Sequence, residues 1–420
     1  KANLAGQFFS IAKTVGDKPL FFRKINGSWS GLSWAEVDHK IRQLAAVLVA
    51  AGVSPGDRVI ISAENRPEWA ICDLAIMSIG AIVVPAYTTN TEDDHHFIMD
   101  HSGAVVAITS GGALATRMML AATRAPQLRL MIFMDPTAIA LPDSNIETKQ
   151  WDDAVATAEP LTTIDQRIDA QKADDTCCLI YTSGTGGRPK GVMLTHRNCV
   201  ANLIQTTAVL AVDEGEAMLS FLPFFHIYGM QVLMNNALAQ GGKVVTMPRF
   251  DLEQFLQLTQ DHQVRRAFVA PPIVLAMAKH PIVEQYNLTS LESVFSGAAP
   301  LGAELAEEAA ARLGCEVVQG YGMTELSPVS HSTPKGMYKP GTIGILIPST
   351  ESRVVDSESG KDLGLNEDGE IWVRGPQVMA GYLNNEQATK ETIDEEGWLH
   401  TGDIGHVDED GHFTIVDRLK

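Results

Sequence analysis

Three short stretches of this chain concentrate the residue types that handle anions. The first, Tyr181 to Val192, holds the hydroxyls of Thr182, Ser183 and Thr185, the glycines Gly184, Gly186, Gly187 and Gly191, and Lys190. Glycines let backbone N–H groups approach a guest, hydroxyls donate hydrogen bonds, and the lysine adds charge, so this stretch can wrap an oxyanion such as a phosphate. It is not a Walker loop, which would need Gly where Pro189 stands and Ser or Thr where Gly191 stands. An isolated Gly/Ser/Thr cluster also reads as an ordinary surface turn. The second stretch, Gln319 to Glu325, carries Gly320, Tyr321 and Gly322 and ends in Thr324 and Glu325. A hydroxyl beside a carboxylate suits a phosphate oxygen and its Mg²⁺, an ion usually held by one carboxylate plus substrate phosphates. The third, Thr401-Gly402-Asp403-Ile404-Gly405, places an acid in a tight turn. A carboxylate can hold a ribose through its two vicinal hydroxyls, although Asp403 alone reads as a turn or cap residue.

The elements that must position these residues alternate. Ala35 to Ala51 is periodic with Val37, Ile41, Leu44 and Leu48 and stops at Gly52, which predicts a helix. Strands are expected at Arg58 to Ile61, Ala81 to Val84 and Val105 to Ile108, with a helix at Trp69 to Ile79; the apolar stretch Ile71 to Tyr87 reads as buried helix running into buried strand. The rhythm resumes after Cys177, through Leu222, Val244 to Thr246, Ala267 to Val269, and Val294-Phe295. Strand, helix, strand in this order implies parallel sheets covered by helices, an α/β fold. Asp135 to Asp174 is polar and aperiodic and reads as a surface excursion. From about Gly341 the pattern changes to short strands with turn signals, a small antiparallel β unit. His226 ends an aromatic run from Phe221 to Tyr228, where a lone histidine is ordinarily a core residue. His95-His96 looks like a surface helix start and is assigned no role.

With 420 residues, 45% apolar and 20% charged, the chain is long enough for two or three domains. Its net charge of −19 argues against nucleic acid or an anionic membrane as partner and requires local devices for any anionic substrate. Five cysteines without CxxC spacing predict a reducing, cytoplasmic setting with no disulfide frame and no structural zinc. No stretch is long and apolar enough to predict a membrane span, and no signal peptide is visible, although the chain opens on Lys1.

In their order and separations the three stretches resemble the adenylate-forming superfamily of acyl-CoA synthetases, luciferases and peptide-synthetase adenylation domains. Phe221-Leu222-Pro223-Phe224-Phe225-His226-Ile227-Tyr228-Gly229, Ser296-Gly297-Ala298-Ala299-Pro300-Leu301-Gly302 and Asp417-Arg418-Leu419-Lys420 extend the resemblance over essentially the whole chain. Residues 1 to about 205, with Glu64-Asn65-Arg66-Pro67-Glu68-Trp69, look like bacterial long-chain fatty acyl-CoA synthetases. From about Phe221 onward, Ala270-Pro271-Pro272-Ile273-Val274-Leu275 and Glu395 to Asp403 look like 4-coumarate-CoA ligases, as in a natural mosaic or an engineered chimera.

The resemblance implies two stacked α/β subdomains in αβαβα layers over residues 1–340 and a small antiparallel β-barrel over 341–420, with the active site at their junction. It implies ATP, Mg²⁺ and coenzyme A, and a carboxylate attacking the α-phosphate, a meeting of two anions helped by positioning and charge neutralisation. Thr182, Ser183, Gly184, Thr185, Gly186, Gly187 and Lys190 would hold the β- and γ-phosphates; Thr324 would contact the α-phosphate, and Glu325 would bind the metal. Gly297, Ala298, Ala299 and Pro300 would wall the adenine, Tyr321, between Gly320 and Gly322, would stack on its other face, and Asp403 and Arg418 would hold the ribose. His226 would sit beside the acyl carboxylate and swing when the thiol enters. The acyl pocket maps to Tyr228, Val232, Phe295, Ala298, Gly322, Pro328 and Val329. No aspartate stands near His226 to Tyr228 to receive an amine, which argues against an amino acid; an aromatic propenoic acid and a medium- or long-chain fatty acid both remain. The family continues past a hinge, here Lys420, into a C-terminal domain carrying the adenylation lysine. The expectation is therefore an N-terminal domain poor at adenylation and unable to complete the thioester. A binding-only domain and a luciferase-like oxygenase are the rival classes.

Overall fold

Successive residues of a strand face opposite sides of its sheet, and in Arg58–Ser62 that alternation sends Val59 and Ile61 into one core and Ile60 into another. The computed structural model describes residues 2–183 and 187–419. Arg58–Ser62 lies within an eight-stranded sheet ordered Gly381–Tyr382, Lys190–Thr195, Thr176–Thr182, Ile82–Pro85, Arg58–Ser62, Val106–Thr109, Leu130–Phe133 and Glu147–Gln150. Lys190–Thr195 runs antiparallel to both of its neighbours, and the strands from Thr176–Thr182 to Glu147–Gln150 are parallel.

Across the central core lie two further sheets. One joins Ala217–Ser220, Lys243–Thr246, Pro19–Ile25 and Ser28–Ser33; the other joins Arg266–Val269, Ser293–Ser296 and Glu316–Gln319, all parallel. Met218, Val244, Phe268, Phe295 and Val318 face the central core, while Leu219, Val245, Val269, Val294 and Val317 face an outer one. Helices Leu4–Val15, Trp34–Ala50, Pro67–Ser78 and His196–Thr207 fill the middle. Glu92–Ser102 and Gly112–Ala122 cover one outside; Leu252–Asp261, Pro271–Lys279 and Ala303–Leu313 cover the other. These are the expected αβαβα layers.

Local chemistry sets the helix starts. The Ser33 hydroxyl accepts from the Glu36 N–H and the Glu36 carboxylate accepts from the Ser33 N–H, a capping box that begins the helix at Trp34. Pro67 opens the next helix, which buries every residue except Glu68 because it lies between two sheets.

Three expectations need correction. The polar segment from Asp135 to Asp174 is no mere excursion: Glu147–Gln150 is the edge strand of the large sheet, and Trp151, Val155 and Ile164 are buried. An all-polar edge strand leaves no alternation to read. His95 is 1% exposed, because the helix capped at Thr91 turns it toward the core. Beyond residue 340, the described residues form an open four-stranded antiparallel sheet, Glu351–Val355, Gly369–Arg374, Leu399–Val407 and Phe413–Arg418, rather than a closed barrel. A three-stranded sheet of Tyr321–Gly322, Val329–Ser332 and Ile345–Leu346 spans the boundary and meets it through one bridge, Gly344 to Phe413.

Candidate active site

Parallel sheets offer ligands a crevice at the carboxyl ends of their strands. Three of the singled-out segments leave such ends: Phe221 to Tyr228 follows Ala217–Ser220, Gly297 to Pro300 follows Ser293–Ser296, and Gly320 to Thr324 follows Glu316–Gln319. They enclose a cavity of about 100 Å³. Its lining includes His226, Tyr228, Val232, Phe295, Pro328 and Val329 together with Gly297, Ala298, Gly320, Tyr321 and Gly322. Phe268, Leu210, Met323 and His331 also line it and escaped the sequence reading. Phe268 stacks on Phe295 with ring centroids 5.2 Å apart, two inward residues of adjacent strands in register.

The wall is more apolar than its residue types imply. The Tyr228 hydroxyl donates to the Val269 and Phe295 carbonyls at 3.2 and 3.4 Å, and burial pushes its pKa up. His226 is a further polar group on that wall. Its Nδ1 accepts from the Tyr228 N–H at 3.2 Å, which assigns the ring proton to Nε2, and burial lowers its pKa so that the ring stays neutral. Nε2–H is then a donor suited to a carboxylate at the cavity wall. Ala298 holds φ at 73°, a left-handed conformation uncommon for a residue with a Cβ, and Ala298, Ala299 and Pro300 are exposed.

The glycine-rich stretch joins two antiparallel strands: Thr182 pairs with Lys190 across the hairpin. A Walker loop instead leads from strand to helix. Gly184, Thr185 and Gly186 lie outside the described residues. Ser183 faces a second cleft with Tyr181, Phe97 and Arg188. The Lys190 ammonium lies 5.5 Å from the centroid of the Tyr382 ring, and the Tyr382 hydroxyl donates to Glu325 Oε2 at 2.9 Å. Thr324 and Glu325 are buried on the short turn Thr324–Leu326. Burial pushes the Glu325 carboxyl up, opposed by the Tyr382 hydrogen bond and the charge of Lys190. Tyr382 was missed because it enters by pairing with Val192, far away in the chain.

Asp403 is not in a tight turn but within the strand Leu399–Val407. The Tyr321 hydroxyl donates to its Oδ2, and Arg418 Nε stands 3.8 Å from Oδ1. Burial, then the neighbouring Asp403 charge, raises the Tyr321 pKa. The residue expected on the adenine face and the one expected at the ribose are thus joined to each other.

Buried His95 gives a stability test. Burial, reinforced by Arg117, lowers its pKa from 6.5 to about 4. Between those values the unfolded chain binds the proton that the folded chain refuses, so this contribution to stability falls as pH falls. The difference in unfolding free energy between the native protein and His95→Asn should shrink on acidification from pH 6.5 toward 4, by up to about 1.4 kcal/mol per pH unit. Urea titrations measure it, and a pH-independent difference would refute a neutral buried His95.

The profile of the family described as AMP-binding enzyme matches residues 8–383. A probable 4-coumarate--CoA ligase 1 of Dictyostelium discoideum is 37% identical over 425 residues, spanning 98% of this chain and 76% of its own length. The 4-coumarate--CoA ligase 1 of Oryza sativa subsp. japonica is 38% identical over 413 residues, spanning 94% of this chain and 71% of its own. Among solved structures, ATP-bound MatB from Rhodopseudomonas palustris superposes with a TM-score of 0.86 at 26% identity, covering 99% of this chain and 78% of that one.

Proposed function

Because the chain belongs to the AMP-binding enzyme family, we propose that it is the adenylation domain of an AMP-forming carboxylate–CoA ligase. A carboxylate oxygen attacks the α-phosphate of ATP and pyrophosphate leaves; the thiol of coenzyme A then takes the acyl group and AMP is released. The observation that carries this reading is that one cavity is lined both by the His226 ring and by the Gly297 and Tyr321 loops, which sets a pocket for the acid against the loops proposed to meet the nucleotide.

The roles are those the family resemblance implies, and the chemistry of each group supports them. His226 Nε2–H holds the substrate carboxylate at the mouth of the apolar pocket and, being neutral, does not trap it as an ion pair. Gly297 to Pro300 and Tyr321 flank the adenine, and Asp403, oriented by Tyr321 and Arg418, accepts from the ribose hydroxyls. Lys190 and the glycine-rich hairpin take the β- and γ-phosphates, and Thr324 the α-phosphate. The donors fit Mg²⁺: Glu325 is a hard oxygen ligand whose Oε2 is fixed by the Tyr382 hydroxyl, with Thr324 beside it. When bound, the ion offsets phosphate charge. Lys190 would add positive charge for the same phosphates.

The cavity also bears on the acid. Its volume of about 100 Å³ is of the order of the ~150 Å³ that holds one benzene ring. A single-ring aromatic acid of the cinnamate or benzoate type matches that scale better than a long alkyl chain. All five cysteines are free, and no helix among the described residues is long and apolar enough to cross a membrane; the reducing cytoplasm is the proposed setting.

The test is AMP release by the full-length ligase that carries this domain, from ATP, CoA and a panel of cinnamates, benzoates and fatty acids of graded length. Turnover confined to fatty acids would reverse the substrate assignment, and no AMP with any acid would remove the ligase reading. For the phosphate hairpin, Lys190→Ala should weaken ATP binding by about 1.5–3 kcal/mol, the loss of one charged hydrogen bond. Calorimetry that finds unchanged affinity would detach Lys190 from the nucleotide.

A further inference from the structure

The cysteine spacing offers no metal motif, yet folding brings three thiols together. Cys177 and Cys178 are neighbours on Thr176–Thr182, where successive side chains ordinarily point to opposite faces. The pairing with Lys190–Thr195 shifts register between Thr176 and Cys178. Such a bulge inserts an extra residue and re-aims a side chain. Cys199, on the helix His196–Thr207 that follows the hairpin, completes the group. The three Sγ atoms lie within 4.8 Å of one another, and all three residues are buried.

Two further facts point to a ligand. The Cys177 and Cys199 sulfurs are 3.9 Å apart; two thiolates at ~2.3 Å from a tetrahedral Zn²⁺ stand about 3.8 Å from each other. Beside the cluster lies Asp73, 1% exposed on Pro67–Ser78, with neither carboxyl oxygen hydrogen-bonded. A buried acid without a partner is costly, and a cation at the thiols would give it one.

We propose that Cys177, Cys178 and Cys199 bind one thiophilic cation of the Zn²⁺ class through their three sulfurs, with the buried Asp73 carboxylate as a nearby balancing charge rather than a ligand. Binding releases the three thiol protons to solvent. None of the three cysteines lines the proposed substrate cavity. Gln231 Nε2 donates to the carbonyls of Cys199 and Ser327 at 3.1 and 3.0 Å, linking the cluster to the turn that carries Glu325. The ion would tie the strand entering the phosphate hairpin to the helix leaving it.

Protein produced in zinc-supplemented medium and purified under reducing conditions should retain one equivalent of zinc by elemental analysis. Produced with Co²⁺ instead, it should show thiolate-to-cobalt charge-transfer absorption and tetrahedral cobalt bands. Cys199→Ala should abolish both signals, with Cys178→Ala as the substitute should that variant not fold, whereas Cys315→Ala should leave them unchanged. Asp73→Asn should retain cobalt at least ~10-fold less tightly against a chelator. A reduced protein with five free thiols and no metal would overturn the proposal and make the cluster packed core, as would bands that survive Cys199→Ala. Unchanged retention in Asp73→Asn would overturn the charge-balancing role of Asp73.

Discussion

Glu325→Gln should leave the protein folded and slow pyrophosphate release by about 10²–10³-fold, the scale on which removing one fixed electrostatic stabiliser acts. The substitution isolates charge. Gln has the same length, and its amide oxygen can still accept from the Tyr382 hydroxyl that now reaches Glu325 at 2.9 Å. What disappears is the anionic oxygen proposed to hold Mg²⁺ beside the phosphates. Burial already penalises the Glu325 charge, with the Tyr382 hydrogen bond and Lys190 offsetting it, so removing it should leave the melting temperature equal or slightly higher. The paired readout is Mg²⁺-dependent ATP affinity, which should lose most of its magnesium dependence. A variant that releases pyrophosphate within about threefold of the native rate would take the metal away from Glu325, since a fixed electrostatic group is worth far more than that.

What the sequence made legible was local. The periodic helix that stops at Gly52, the apolar run through the buried helix Pro67–Ser78 and the loops at Gly297 and Tyr321 each carry their signal within a few residues, and the structure places the elements within a residue or three of where they were expected. What escaped depends on partners distant in the chain. Tyr382 reaches Glu325 only because Gly381–Tyr382 adds an eighth strand beside the hairpin. Glu147–Gln150 forms a strand with no apolar residue in it, held by its neighbour's backbone. The Cys177 bulge is equally silent in the sequence, since register against another strand cannot be read from one strand alone. Asp403 was singled out for its type, but its orientation by Tyr321 and Arg418 is a product of sheet pairing, Asp403 lying opposite Arg418.

The same distinction separates glycines that merely punctuate from those the fold requires, and Gly229 is the sharpest case. A Cβ there would stand 2.2 Å from the Pro223 carbonyl oxygen and 2.4 Å from that of Leu222. Both are backbone atoms, so no side chain can rotate away, and the helical segment Tyr228–Asn235 must move off the turn that carries His226. That turn and segment are stitched together by His226 N–H to Pro223 O at 3.1 Å, Met230 N–H to His226 O at 3.0 Å and Tyr228 N–H to His226 Nδ1 at 3.2 Å. Gly229→Ala should therefore cost about 1–3 kcal/mol of stability, the range for overpacking a close-packed site. Its effect on catalysis should be larger than its effect on folding. The displacement falls on the two residues that would hold the acid, and misplacing reacting groups by about 1 Å can cost 10²-fold in rate. KM for the acid should rise and kcat fall, while ATP affinity, set at Lys190, Glu325 and Asp403 on other elements, should change little. That split is the discriminating result: equal losses for acid and ATP would indicate general unfolding, and native melting with native acid kinetics would mean that the contact of Gly229 with Pro223 does not position His226.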